Sequence, residues 1–180
     1  MSSPLTSVRL AGQQLALEPL TAEAFKPFGE VIEATDNAQH FTINQGFAQR
    51  FHRLAQVDVT TDGGQPAISI FKARARALPL QLSVLEKHPF GSQAFMPLSG
   101  HGYVVVVALG GDAPDMSTLT CFMASAQQGV NYAKGTWHHP LLALQDGDFL
   151  VVDRAGPAAE FNCVEVVLDE GAAASVKQTE

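Results

Sequence analysis

From Phe41 onward, hydrophobic and polar residues alternate mainly with the period of two that marks β-strands. Phe41 to Ile43 alternates and stops at Asn44-Gln45-Gly46, a turn signal. Phe47 to Val59 reads as one long strand or two shorter ones, with Arg50 and His52 on one face and Phe51 and Arg53 on the other. Thr61-Asp62-Gly63-Gly64 turns the chain into Ala67–Ala73, where Ile68, Ile70 and Lys72 share a side. Residues 74–79 read as an exposed connection. Further strands are predicted over Leu80–His88, Leu119–Ala124, Val130–Lys134, Trp137–Leu144, Asp148–Val152 and Phe161–Leu168, with a tight turn at Asp146-Gly147-Asp148. Ahead of them, Arg9 to Leu17 alternates briefly and is expected to add an edge strand. Leu20–Phe28 is the best helix candidate: Thr21 can cap it, Glu23 suits its N-terminal dipole, and Pro27 with Gly29 ends it.

Short strands with turns roughly every eight to twelve residues and hardly any helix predict a mainly β chain, closed as a bent barrel of roughly six to ten strands. No repeat or linker divides it, so one domain is expected over residues 17–170, with an extension at 1–16 and a frayed tail at 171–180. Tyr103 to Leu109 breaks the alternation by being apolar on both faces. Such a strand lies between sheets or beneath a partner subunit, and a dimer is expected on that ground.

Composition narrows the classes. With 180 residues, 46% of them hydrophobic and 16% charged, the chain can build a full core. A net charge of −7 argues against a nucleic-acid partner. The apolar run at Tyr103 is too short to span a bilayer. The N-terminus lacks a basic region followed by a sustained apolar core, so no signal peptide, no membrane and a cytoplasmic location are expected. Cys121 and Cys163, the two cysteines, are expected to be free, buried thiols that make no zinc motif.

Two stretches carry candidate chemistry. In Leu85 to Gly110, Glu86 and His88 alternate onto one strand face, Pro89 and Gly91 make a turn, and Gln93 re-enters beside them. Taken alone, this is better read as a solvated rim of strand residues. In Gly129 to Leu144, Gly135 precedes His138 by the spacing of the second histidine motif of cupins, and Gly100 closes the first. The chain therefore resembles a cupin with the altered set Glu86, His88, Gln93 and His138. Two imidazoles and one carboxylate can hold a divalent metal with open positions, whereas a neutral glutamine is a poor ligand.

The strings LEKHPFGSQAFMPLSG, YVVVVALG, PDMSTL, QGVNYAKGTWHHPL and FLVVDRAG, with LTAEAFKPFGEVIE and INQGFAQRFHRLA, closely resemble the ureidoglycolate lyase family, also described as ureidoglycolate hydrolase. The resemblance runs from about Leu17 to Val167 and weakens around Arg74 to Ala77. It implies a cupin-like β-barrel (a double-stranded β-helix or jelly roll), a homodimer, and an enzyme of allantoin breakdown in purine catabolism that splits ureidoglycolate into glyoxylate and urea. It also implies a divalent metal, nickel in some members. Two alternatives stay open: a hydrolase releasing ammonia and CO2, and a non-catalytic cupin that binds a small carboxylate. Under the leading reading Glu86, His88 and His138 are catalytic or metal-ligating, with Glu86 either ligand or general base and His138 the acid. Gln93 orients the substrate by hydrogen bonding, and Tyr132 offers a hydroxyl. Lys72 either reaches out to solvent or binds the substrate carboxylate, and Arg50 with His52 forms a rim or interface pair. His139 should face away from His138, and Trp137 belongs to core or interface.

Overall fold

The run that is apolar on both faces lies between two layers, both belonging to this chain. The structure, a computed structural model, describes residues 14–168 and 175–177. The chain opens with β1 (Gln14–Ala16), β2 (Glu18–Pro19) and the single α-helix among the described residues, α1 (Ala22–Phe25). The Thr21 hydroxyl accepts from the Ala24 N–H at 3.2 Å, as the capping signal requires. The helix is shorter than Leu20–Phe28: its last turns tighten through Lys26 N–H to the Glu23 carbonyl and Phe28 N–H to the Phe25 carbonyl, and Pro27 has no N–H to continue it.

β3 (Gly29–Ile32) follows, then a hairpin of β4 (His40–Ile43) and β5 (Ala48–Phe51). Of the predicted Phe47–Val59 strand only β5 forms, because Arg53 takes a left-handed φ of 54° that breaks the extended chain. β6 (Gln65–Ala73), β7 (Leu80–Gln81), β8 (Val84–Lys87), β9 (Gln93–Pro97) and β10 (Tyr103–Ala108) come next. The chain is completed by β11 (Thr120–Ala124), β12 (Gly129–Tyr132), β13 (Trp137–His138), β14 (Leu142–Ala143), β15 (Gly147–Ala155), β16 (Val164–Val167) and β17 (Ser175–Lys177).

Two large sheets result. One runs β16-β8-β13-β10-β11-β2, with β14 also on β10; the other runs β3-β12-β9-β15-β6. Among the described residues hydrogen bonds do not close the two into one wall, so the expected barrel is an open double sheet. Between them Tyr103, Val105 and Val107 pack with Phe25, Phe95, Phe122, Val130, Tyr132 and Val151. The other face of β10 carries Val104, Val106 and Ala108 into a second core with Leu82, Leu85, Trp137 and Leu142. That second core is capped by a small sheet, β1-β17-β7, through Leu15 and Val176. Each apolar side chain so buried stabilises the fold by on the order of 2 kcal/mol. The chain's own layers thus account for Tyr103–Ala108 being apolar throughout.

β1 and β17 fall in the stretches expected to flank the domain. Gln14–Ala16 pairs in parallel with Ser175–Lys177, so strands occur inside both the stretch expected as an extension and the one expected as a frayed tail. The part of the Arg9–Leu17 segment before residue 14 lies outside the described residues. No helix of the described residues is long and apolar enough to cross a membrane.

Candidate active site

Two cross-strand pairs, one on each large sheet, build the site. On the first sheet Glu86 of β8 lies opposite His138 of β13. On the second, Gln93 of β9 lies opposite Tyr132 of β12. The pairs meet across the sandwich: the Tyr132 ring stacks on the His138 imidazole at 4.2 Å between centroids and 12° between planes. His88, one residue past β8, reaches the Gln93 side chain at 3.2 Å. Gly135 ties the two sequence stretches together. Its N–H donates to the His88 carbonyl at 2.9 Å, and its φ of 80° is one that glycine takes without strain.

Backbone carbonyls set how the histidines point. His88 Nδ1 lies 2.7 Å from the Asn162 carbonyl, and His138 Nδ1 lies 2.9 Å from that of Thr136. A carbonyl can only accept, so each Nδ1 carries a proton, which leaves each Nε2 as the ring nitrogen turned inward and free to offer a lone pair. In the structure Gln93 Oε1 faces His88 Nε2 at 3.2 Å, and turning the amide end for end gives that lone pair an N–H donor. His138 Nε2 is buried and makes no hydrogen bond; Glu86 Oε1 sits 3.4 Å away, within ion-pair range but out of line for a hydrogen bond. One donor atom from each of Glu86, His88 and His138 falls within 4.8 Å of the others. An unpartnered imidazole nitrogen, a second imidazole lone pair and a carboxylate fit a divalent cation with open positions.

Electrostatics sharpen the roles. Burial works against the charge on Glu86, but His138, His88 and the Cys163 thiol outweigh it and hold the carboxyl below its ordinary value. Burial, followed by nearby Tyr103, Glu86 and Cys121, pushes the Tyr132 phenol well up, so it stays protonated, a neutral hydroxyl that can donate or accept while its ring stacks. The second cysteine departs from expectation. Cys163 is exposed, with Sγ 3.7 Å from Glu86 Oε2, and partial burial plus Glu86 and Glu165 raise it to about 11. Cys121 is free and buried, and burial pushes it up to about 12.

A cavity of about 480 Å³ opens on Glu86 and Gln93, with Phe71, Phe95, Pro140 and Leu141 as apolar walls and Lys72 and Arg74 in its lining. Lys72 is not drawn into the ring cluster. Its side chain is 83% exposed and its ammonium lies 3.8 Å from Asp148. His139 is buried apart from the cluster and bonds the Pro140 carbonyl at 2.7 Å; Trp137 is buried with its N–H on the Gly111 carbonyl. Arg50 and His52 stand on and beside the β4–β5 hairpin, away from the cavity lining. Sequence reasoning missed Thr136, Asn162 and Cys163. The first two act through main-chain carbonyls, which leave no trace in residue type, although the Asn162 side chain also accepts from the Phe90 N–H at 2.9 Å.

A two-sheet β fold holding a two-histidine, one-carboxylate cluster whose Glu86 lines a small cavity is the class to which these features belong. The family profile for ureidoglycolate lyase matches residues 12–175, and the chain belongs to that family. A ureidoglycolate lyase of Burkholderia mallei (strain NCTC 10229) is 52% identical over 149 residues, 82% of this chain and 86% of its own. One of Pseudomonas syringae pv. tomato is 50% identical over 157 residues, 87% of this chain and 91% of its own. Among solved structures, RmlC from Streptococcus suis covers 84% of this chain and 75% of its own at 13% identity and a TM-score of 0.45, too distant to bear on the site.

Proposed function

We propose that this chain cleaves ureidoglycolate to glyoxylate and urea, with Glu86, His88 and His138 as its reacting groups. The observation that carries the reading is their convergence within 4.8 Å beside a cavity sized for a small molecule. Ureidoglycolate bears a hydroxyl, a ureido nitrogen and a carboxylate on one carbon, so loss of the hydroxyl proton lets it collapse. Glu86, which lines the cavity, takes that proton, with His88 as the neighbouring alternative base. The oxygen's electron pair forms the aldehyde, the carbon–nitrogen bond breaks, and its pair stays on the departing nitrogen. The 3.4 Å separation of Glu86 and His138 lets the proton taken from the hydroxyl pass to the free Nε2 of His138, which delivers it to the departing nitrogen and so restores both groups.

Gln93 orients the substrate from the opposite sheet, and the protonated Tyr132 holds the His138 ring by stacking. Lys72, with Arg74 beside it in the lining, supplies positive charge for the carboxylate; its exposed pairing with Asp148 is weak enough to exchange. Glu86, His88 and His138 are also the residues that would hold a divalent ion, nickel by family resemblance, and such an ion would acidify the hydroxyl. A homodimer, a cytoplasmic location, and a place in allantoin breakdown without nucleic-acid or membrane partners go with this reading.

A product assay on fresh ureidoglycolate, corrected for spontaneous decay, tests it. Urea and glyoxylate in equal amounts are expected. Ammonia and CO2 in place of urea would make the chain a hydrolase, and saturable binding without product would make it a binding module.

A further inference from the structure

Two adjacent residues just ahead of β16 meet the site from outside the cavity. Asn162 turns its carbonyl to His88 Nδ1 at 2.7 Å, and its side-chain oxygen accepts from the Phe90 N–H at 2.9 Å. Cys163 places its Sγ 3.7 Å from Glu86 Oε2, where its S–H can donate. Strand register explains the approach. β16 pairs Val164 with Lys87 and Glu165 with Glu86, so Cys163 emerges beside the end of β8. Alternation puts Val164 on the other face of that strand from Glu165 and Glu86.

The two oxygens of Glu86 are held differently. Oε1 faces His138 Nε2 at 3.4 Å, out of line for a hydrogen bond. Oε2 faces the Cys163 thiol, which among the described residues is the one hydrogen-bond donor on this carboxylate. A glutamate side chain has several torsions, the last of them soft, so one oxygen must be held if the other is to stay aimed. The cavity lining includes Glu86 and not Cys163. The thiol therefore acts on a bound molecule only through the carboxylate.

We propose that Cys163 is a positioning residue, its thiol fixing the Glu86 carboxylate in the orientation that proton transfer and ion binding both need. The proposal rests on the function above and adds to it a residue outside the cavity. Asn162 and Cys163 hold one group each, His88 by a main-chain carbonyl and Glu86 by a thiol. Glu86 and His88, which must keep one mutual distance, are thus both referred to a single short piece of backbone. Partners that bond a reacting or metal-ligating carboxylate from behind govern about 10–100-fold in activity or affinity. A thiol is a weak donor and belongs at the lower end of that range.

Steady-state kinetics on fresh ureidoglycolate test this with wild type, Cys163→Ala and Val164→Thr, the last altering the opposite face of the same strand. In Cys163→Ala kcat should fall about tenfold, with KM within about twofold of wild type. Val164→Thr should keep both constants. Calorimetric titration with nickel chloride adds a readout besides turnover: Cys163→Ala should bind the ion about tenfold more weakly, and Val164→Thr as wild type does. A wild type that yields neither urea nor glyoxylate would sink the function above, and the nickel titrations would still decide the hold on Glu86. Wild-type kcat and nickel affinity in Cys163→Ala would keep the function and overturn the role of Cys163. Equal losses in Val164→Thr would overturn it too, by tracing the effect to the strand.

Discussion

His138 lies opposite Glu86 on one sheet and Lys72 lies on the other, Glu86 and Lys72 both lining one cavity, and the protein treats the histidine and the lysine in opposite ways. The imidazole is 1% exposed, fixed at Nδ1 by the Thr136 carbonyl and on one face by the Tyr132 ring. Among the described residues the ammonium is tethered only to Asp148, at the long distance of an exposed ion pair. A proton donor must be placed to a fraction of an ångström, whereas a cation that captures a carboxylate works through distance-tolerant attraction. On the proposed reading, rigidity is concentrated where bonds change.

The contrast breaks most visibly at His138. His138→Ala should lower kcat by about 10²–10⁴-fold with little change in KM, measured on protein that retains its β-sheet spectrum. An unchanged rate of urea release would remove His138 from the chemistry. Next comes Glu86→Gln, which keeps the shape and deletes the charge. It should lower activity about as much and weaken binding of an added divalent ion, read by calorimetry. Lys72→Ala tests the loose side: KM should rise about tenfold with kcat nearly kept, and unchanged kinetic constants would retire the clamp.

The smallest effect expected is on stability against pH. Burial foremost lowers the His139 pKa below 6.5, only partly offset by its bond to Pro140. A depressed group binds fewer protons folded than unfolded, so its contribution is complete above 6.5 and is lost as pH falls from there through the lowered value. Glu86, held below 4.5, behaves likewise in a more acid window. Thermal melts should therefore soften below pH 6.5, and His139→Gln should flatten that step while Glu86→Gln flattens only the one below 4.5.

Much of this was legible in the residues. Alternation located most of the strands, and the glycine turn and histidine spacing brought Glu86, His88, Gln93 and His138 together from stretches some fifty residues apart. Three things escaped. Main-chain carbonyls of Thr136 and Asn162 orient the rings, and any residue has such a carbonyl. Alternation over Phe47–Val59 could not foresee the left-handed Arg53 that ends β5. Tyr103–Ala108 left a partner subunit and an internal layer equally open, because a sequence shows that both faces are apolar and not what covers them.

The two cross-strand pairs have a further consequence for folding. Glu86 with His138 belongs to one sheet and Gln93 with Tyr132 to the other, so no half of the sandwich holds the site alone. Whatever bridges the pairs therefore acts as a clasp between the sheets, binding the closed sandwich and having no counterpart once the layers part. By mass action, a ligand present at a hundred times its Kd would add about 2.7 kcal/mol against their separation. Hydrogen exchange should then slow at β8, β9, β12 and β13 together, and far less in the β4–β5 arm, which lies outside the clasp.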